Sequence, residues 1–187
     1  MKYVPIVALC CLPLAAWADE LSDRLERREV VVEITKIKGR SAPAVKATAL
    51  FAAPVEKLWK IIDHCADYHT TMLRIAKSEE LSREGSRVRC RVTIEMPFPL
   101  ANVTTETVAV HTVVPGKLAE RRWKQAEGDF RVNTGSWTLT PYGDGKRTLA
   151  VYQVRAEPKV EVPAALRDAA QRKTLPQLFE HLRKQVE

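Results

Sequence analysis

The chain has 187 residues and a net charge of +7 at neutral pH, with 30 Lys and Arg against 23 Asp and Glu. This length sets a single folded domain once processing is allowed for. The basic residues are spread out with no dense run, so the charge fits a soluble surface that touches anionic membranes. Nucleic acid is set aside as a partner, because the N-terminus marks the chain for export.

In chain order, the first 18 residues read as a secretory signal. Lys2 is the charged start, and "YVPIVALCCLPLAA" (3–16) is an apolar core. That core is shorter than the roughly 20 residues a membrane span needs. Ala16 and Ala18 put small residues at the two key positions, so cleavage is expected after Ala18. A lipid-anchored alternative is weak, since Leu9 precedes Cys10 where a small residue is needed. The mature protein is then Asp19–Glu187, periplasmic or secreted. Its charge is +6, because residues 1–18 hold Lys2 and no acid. Cys65 and Cys90 remain, in an oxidising compartment. Either they pair, which stabilises by roughly 3 kcal/mol, or they are two inert buried thiols.

Residues 19–28 suggest a short exposed helix. "EVVVEITKIK" (29–38) and "AVKATALFAA" (44–53) read as two strands joined by a turn. Pro54 then suits the first position of a helix. Val55, Leu58, Trp59 and Ile62 follow it as one apolar stripe. A second short helix is expected from Asp67 as N-cap. Residues 73–82 lead to a turn at 83–86. In "RVRCRVTIEM" (87–96), Val88, Cys90, Val92, Ile94 and Met96 face one way and charged or polar residues the other, a strand with one dry face. Strands follow at 103–114, 117–125, 129–140 and 147–157, with turns at Pro115–Gly116, Gly128 and Gly143–Gly145. From Pro163 to Val186 the pattern is helical. Leu166, Ala170, Leu175, Leu178, Leu182 and Val186 share one side, and Pro176 should kink or split the helix. There are no internal repeats. The order implies an α+β helix-grip fold: a curved antiparallel sheet of about seven strands wrapped around a long C-terminal helix, with two short helices after the second strand.

Four phrases carry a family likeness. They are "ATALFAAPVEKLWKIIDH" (47–64), "PFPLANVTTETVAV" (97–110), "TGSWTLTPYGDGKRTLAVYQV" (134–154) and "VPAALRDAAQRKTLPQLFEHLRK" (162–184). In this order they resemble the SRPBCC superfamily. That group holds the START lipid-transfer domains, the polyketide cyclase/dehydrase-like proteins and the coenzyme Q-binding proteins. The likeness runs from about residue 29 to the end. The chain departs from the pattern at His69, Thr70, Thr71 and Met72, where the family often carries an aromatic residue and a proline. This fold hosts many unrelated functions, so the likeness speaks to architecture first.

"DHCADYH" (63–69) holds metal-ligand residue types, but His64 and His69 are five apart and do not share a helical face. Cys65 has no positioned base in sequence. Asp63 and Asp67 are therefore read as helix caps, Tyr68 as packing and the histidines as surface residues. Asn102-Val103-Thr104 matches a glycosylation acceptor by chance. Glu106 and Arg122 lie in strands and would be acids, bases or anchors if they pointed inward; the alternation puts Glu95 on the wet face.

The function expected is non-covalent binding of a hydrophobic small molecule, such as a lipid, quinone or sterol-like compound, in a cavity between sheet and helix. The residues expected to line it are Trp59, Val92, Ile94, Met96, Phe98, Trp123, Phe130, Trp137, Tyr152, Leu175, Leu178, Phe179 and Leu182, with "MPFPLANV" (96–103) as a lid. No metal, cofactor or catalytic residue is expected. Two alternatives stand beside this reading. One is an aromatase/cyclase-like enzyme, which needs an acid–base pair inside the cavity. The other is an accessory protein that binds a periplasmic protein partner.

Overall fold

The computed structural model describes residues 14–40, 42–163, 166 and 170–187. Most of the expected signal segment lies outside the described residues, and the expected cut after Ala18 falls within the first helix, α1 (Leu14–Glu26). This helix is not exposed along its length. Leu25 is 4% exposed and packs with Leu21 against Val31, Leu50, Tyr142 and Leu149 on the outer face of the sheet. Among the described residues, no helix is long and apolar enough to cross a membrane.

The sheet has eight strands: β1 (Val31–Thr35), β2 (Ala44–Phe51), β3 (Ile75–Glu84), β4 (Arg87–Ile94), β5 (Val103–Val114), β6 (Leu118–Gly128), β7 (Phe130–Tyr142) and β8 (Arg147–Pro158). Their order is β1-β2-β8-β7-β6-β5-β4-β3, with every pairing antiparallel. The eighth strand is β3, which the sequence pattern hides. It is an edge strand paired only with β4, and two register shifts, between Ile75 and Lys77 and between Glu80 and Ser82, break its period of two.

Because β2 pairs with β8, the chain must cross from one side of the sheet to the other edge to begin β3. It does so through α2 (Val55–Asp63), a 3-10 turn (Cys65–Asp67) and the single turn α3 (Tyr68–Thr71). Pro54 stands at the N-cap of α2, one position ahead of the place expected for it. Val55, Leu58 and Ile62 are buried at the expected spacing. Cys65 and Cys90 form a disulfide that ties the 3-10 turn to β4, with Cα atoms 6.3 Å apart.

The C-terminal helix α4 (Leu175–Val186) lies in the concave face, with Phe179, Leu182 and Val186 in the main core beside Phe51, Leu58, Trp137 and Leu139. A π-helical turn, Ala170–Thr174, precedes it. Pro176 has no N–H to donate to the carbonyl four residues back, which accounts for the irregular turn at the expected break. Residues 164–169 other than Leu166, and the side chain of Ala170, lie outside the described residues. Arg183 locks the helix to the sheet, donating from Nη2 to the Leu50 carbonyl at 2.9 Å and from Nη1 to the Arg28 carbonyl at 2.9 Å.

Candidate functional site

Between the inner face of the sheet and the start of α4 lies a cavity of about 270 Å³. Its apolar wall includes Val92 and Ile94 from β4, Trp123 from β6, Phe130 and Trp137 from β7, Tyr152 from β8, and Leu175 and Leu178 from α4. All eight are among the residues that the strand and helix periods point inward. Met72, Leu73, Ile75, Val154 and Ala156 complete it; these belong to the crossover, the hidden strand and the end of β8.

Five residues expected in the wall sit elsewhere. Phe179 and Leu182 are fully buried in the core beneath the helix. Trp59 packs edge-on against the His111 ring, with centroids 5.2 Å apart. Met96 and Phe98 lie past the end of β4, and Phe98 is 96% exposed. A loop that places its aromatic residue in solvent is not folded over the cavity as a lid.

The aromatic floor depends on one glycine. Trp123 stacks on Tyr152 at 5.8 Å, and Trp137 meets Tyr152 at 4.6 Å and Phe179 at 5.4 Å. Trp123 is paired in register with Gly135. A Cβ at Gly135 would meet the Trp123 ring at 2.5 Å and the Gln153 carbonyl oxygen closer still. The Gly-x-Trp phrase thus supplies both the indole of Trp137 and the space for Trp123.

The other end of the cavity is polar, lined by Thr105, Thr107, Arg121 and Asn133. Asn133 Oδ1 accepts from Trp123 Nε1 at 3.0 Å, and its Nδ2 donates to Thr105 Oγ1 at 3.2 Å. Arg121 is the buried terminus of a polar relay. The Asp63 carboxylate receives His111 Nδ1 at 2.7 Å and Arg83 Nη1 at 3.0 Å. His111 Nε2 then accepts from Arg121 Nη1 at 2.7 Å. Burial, reinforced by the charge of Arg121, lowers the His111 pKa to about 4. The ring is therefore neutral at pH 7, with its proton on Nδ1. Burial pulls the Asp63 carboxyl up, but the hydrogen bond and charge of Arg83 more than offset it, leaving the pKa below the ordinary aspartate value.

This geometry revises the reading of "DHCADYH". The Asp63 side chain does not cap a helix; it meets Arg83 of β3 and His111 of β5, and His64 beside it at 3.4 Å. Asp67 stands at the N-cap of α3 as expected, but its side chain makes no cap bond, and its carbonyl accepts from Thr70 and Thr71 instead. Tyr68 does pack, with its hydroxyl donating to the Ile62 carbonyl at 2.6 Å and its ring under the Arg121 guanidinium at 5.7 Å. His64 and His69 are exposed. Among the described residues there is no group of three or more His, Cys, Asp or Glu able to hold a metal.

Glu106 and Arg122 face outward, away from the cavity. Glu106 is clamped by Arg91 Nη2 at 2.6 Å and Arg89 Nη2 at 2.7 Å, and the hydrogen bonds from Arg91 and then Arg89 lower its pKa. Arg122 pairs with Glu120 at 2.7 Å. A larger groove of about 550 Å³ lies on this outer face, among Lys46, Arg122, Trp123, Thr134, Ser136 and Arg155. Trp123 is the one aromatic residue among its described lining, whereas Tyr68, Trp123, Phe130, Trp137 and Tyr152 gather around the inner cavity, which we take as the site.

A curved antiparallel sheet gripping a C-terminal helix over a mostly apolar cavity defines a helix-grip protein of the START type. Residues 51–183 match the family described as polyketide cyclase/dehydrase and lipid transport, and the chain belongs to that family. Its fold is similar to that of a STAR-related lipid transfer protein fragment from Xanthomonas axonopodis, with a TM-score of 0.72 at 15% identity over 84% of this chain and 97% of that one. It is also similar to human STARD10, with a TM-score of 0.70 at 12% identity over 92% and 79% of the two chains. A third similar structure is the Zhui aromatase/cyclase from Streptomyces sp. R1128, with a TM-score of 0.59 at 16% identity over 76% and 93%. No curated protein sequence matches the chain significantly.

Proposed function

We propose that the chain is an exported binding protein that holds a hydrophobic, lipid-like small molecule non-covalently in the inner cavity. The observation that carries this reading is the cavity wall, in which Trp123, Trp137, Tyr152, Leu175 and Leu178 converge from three strands and α4. Burial of a ligand's apolar surface there drives binding at roughly 25 cal/mol per Å². The lipid-transfer name of the Xanthomonas axonopodis neighbour and the family description agree with it. The Cys65–Cys90 disulfide supports an oxidising compartment such as the periplasm. Phe98, nearly fully exposed in the loop after β4, is suited to brief contact with a membrane surface. Titration with a nitroxide-labelled fatty acyl probe tests the reading: saturable quenching of Trp123 and Trp137 fluorescence is expected, and no quenching would contradict it.

The polar end of the cavity favours a second reading, an aromatase/cyclase-like enzyme. It ranks lower because the His111 Nε2 that would act as a base is already engaged by Arg121.

A further inference from the structure

Arg121 is a cation in the wrong place for a purely apolar carrier. It is 3% exposed, and it lines the cavity. A buried guanidinium ordinarily contacts a carboxylate, because removing its charge from water is costly. Here no described carboxylate touches it. Of the five N–H donors a guanidinium carries, one goes to the neutral imidazole of His111 at 2.7 Å and one to Cys90 Sγ at 3.2 Å, while its flat face lies over the Tyr68 ring. The carboxylate of the relay, Asp63, lies on the far side of the imidazole from it. Arg83, the other cation of the group, has its own partner in Glu80, at 2.7 Å.

The relay also fixes where the guanidinium points. His111 is held from Nδ1 by Asp63 and holds Arg121 from Nε2. Across the ladder Arg121 is paired in register with His111 on β5 and with Trp137 on β7. A group bound to its N–H edge therefore has the Trp137, Trp123 and Tyr152 surface beside it.

We propose that Arg121 is an anion anchor and that the ligand is an organic acid, an apolar body carrying one oxyanion head that accepts from this guanidinium. The anchor rests on the binding function proposed above and narrows it. It separates the ligand from neutral quinones and sterols, which would leave the buried cation without a strong acceptor.

The test uses two dyes that differ by a sulfonate: anionic 8-anilino-1-naphthalenesulfonate and neutral N-phenyl-1-naphthylamine. Their affinities are measured by fluorescence enhancement on the mature wild-type protein and on Arg121→Gln and Arg122→Gln. Wild type should bind the anionic dye about tenfold more tightly or better, the scale of a charge-assisted hydrogen bond. Arg121→Gln should lose that preference while keeping the neutral dye within about twofold. Arg122→Gln, on the outer face, should keep it. Equal affinities in wild type, or a preference that survives Arg121→Gln, would overturn the anchor and leave the cavity reading standing. Failure of both dyes to bind would overturn both. Should Arg121→Gln not fold, displacement of the neutral dye from wild type by dodecanoate and by dodecanol decides the matter. Advantage to the acid supports the anchor, and parity overturns it.

Discussion

His111 Nδ1 lies 2.7 Å from the Asp63 carboxylate, joining the last residue of α2 to the middle of the sheet. The bond is made by a histidine whose pKa is lowered to about 4, chiefly by burial. The unfolded histidine titrates near 6.5, so between pH 6.5 and 4 the unfolded chain takes up a proton that the folded one resists. Stability from this group is full above the unfolded pKa and falls as pH drops through that window, by roughly 1–3 kcal/mol. Chemical denaturation followed between pH 7.5 and 4 should show that loss, and a His111→Gln variant should show a flatter profile over the same range.

Gly135 faces the Trp123 ring and the Gln153 carbonyl at separations no Cβ tolerates. Gly135→Ala should destabilise the fold by about 3 kcal/mol through overpacking and weaken binding of the neutral dye as Trp123 shifts. The thermal midpoint and a dye titration together check this. An unchanged midpoint would mean that the sheet yields at this point.

The Cys65–Cys90 disulfide closes a loop of 25 residues in sequence separation and is fully buried at both ends. Replacing both cysteines with alanine should lower stability by roughly 3 kcal/mol. Because neither sulfur reaches solvent, the native protein should resist dithiothreitol until denaturant opens it. Thiol titration with and without urea measures both.

If the chain is exported and cut after Ala18, the intact mass of protein recovered from an osmotic-shock fraction corresponds to Asp19–Glu187. Recovery of the full-length mass from the cytoplasmic fraction alone would oppose export.

The fold was largely legible because its signals are local. The alternation of 87–96 matched β4, where Val88 and Cys90 are fully buried, and the turn residues bounded β5 to β8. Strand β3 was not legible, since its two register shifts erase the period that identifies a half-buried strand. The apolar wall was read in part by parity. Phe179 and Leu182 were misplaced because periodicity says that a helical residue faces inward, not whether it meets core or cavity. The polar end went unread because Asp63, His111 and Arg121 meet only in the folded chain. One signal was present. Arg121 shares strand parity with Trp123, whose ring faces inward, so the same alternation puts a guanidinium in the cavity.

The most direct test is solvent extraction of the mature protein, purified without detergent, followed by mass spectrometry of the released material. The account predicts one stoichiometric lipid-like compound, recovered either at once or after incubation with total membrane lipid. An empty extract under both conditions would contradict the claim that this cavity carries a lipid-like ligand.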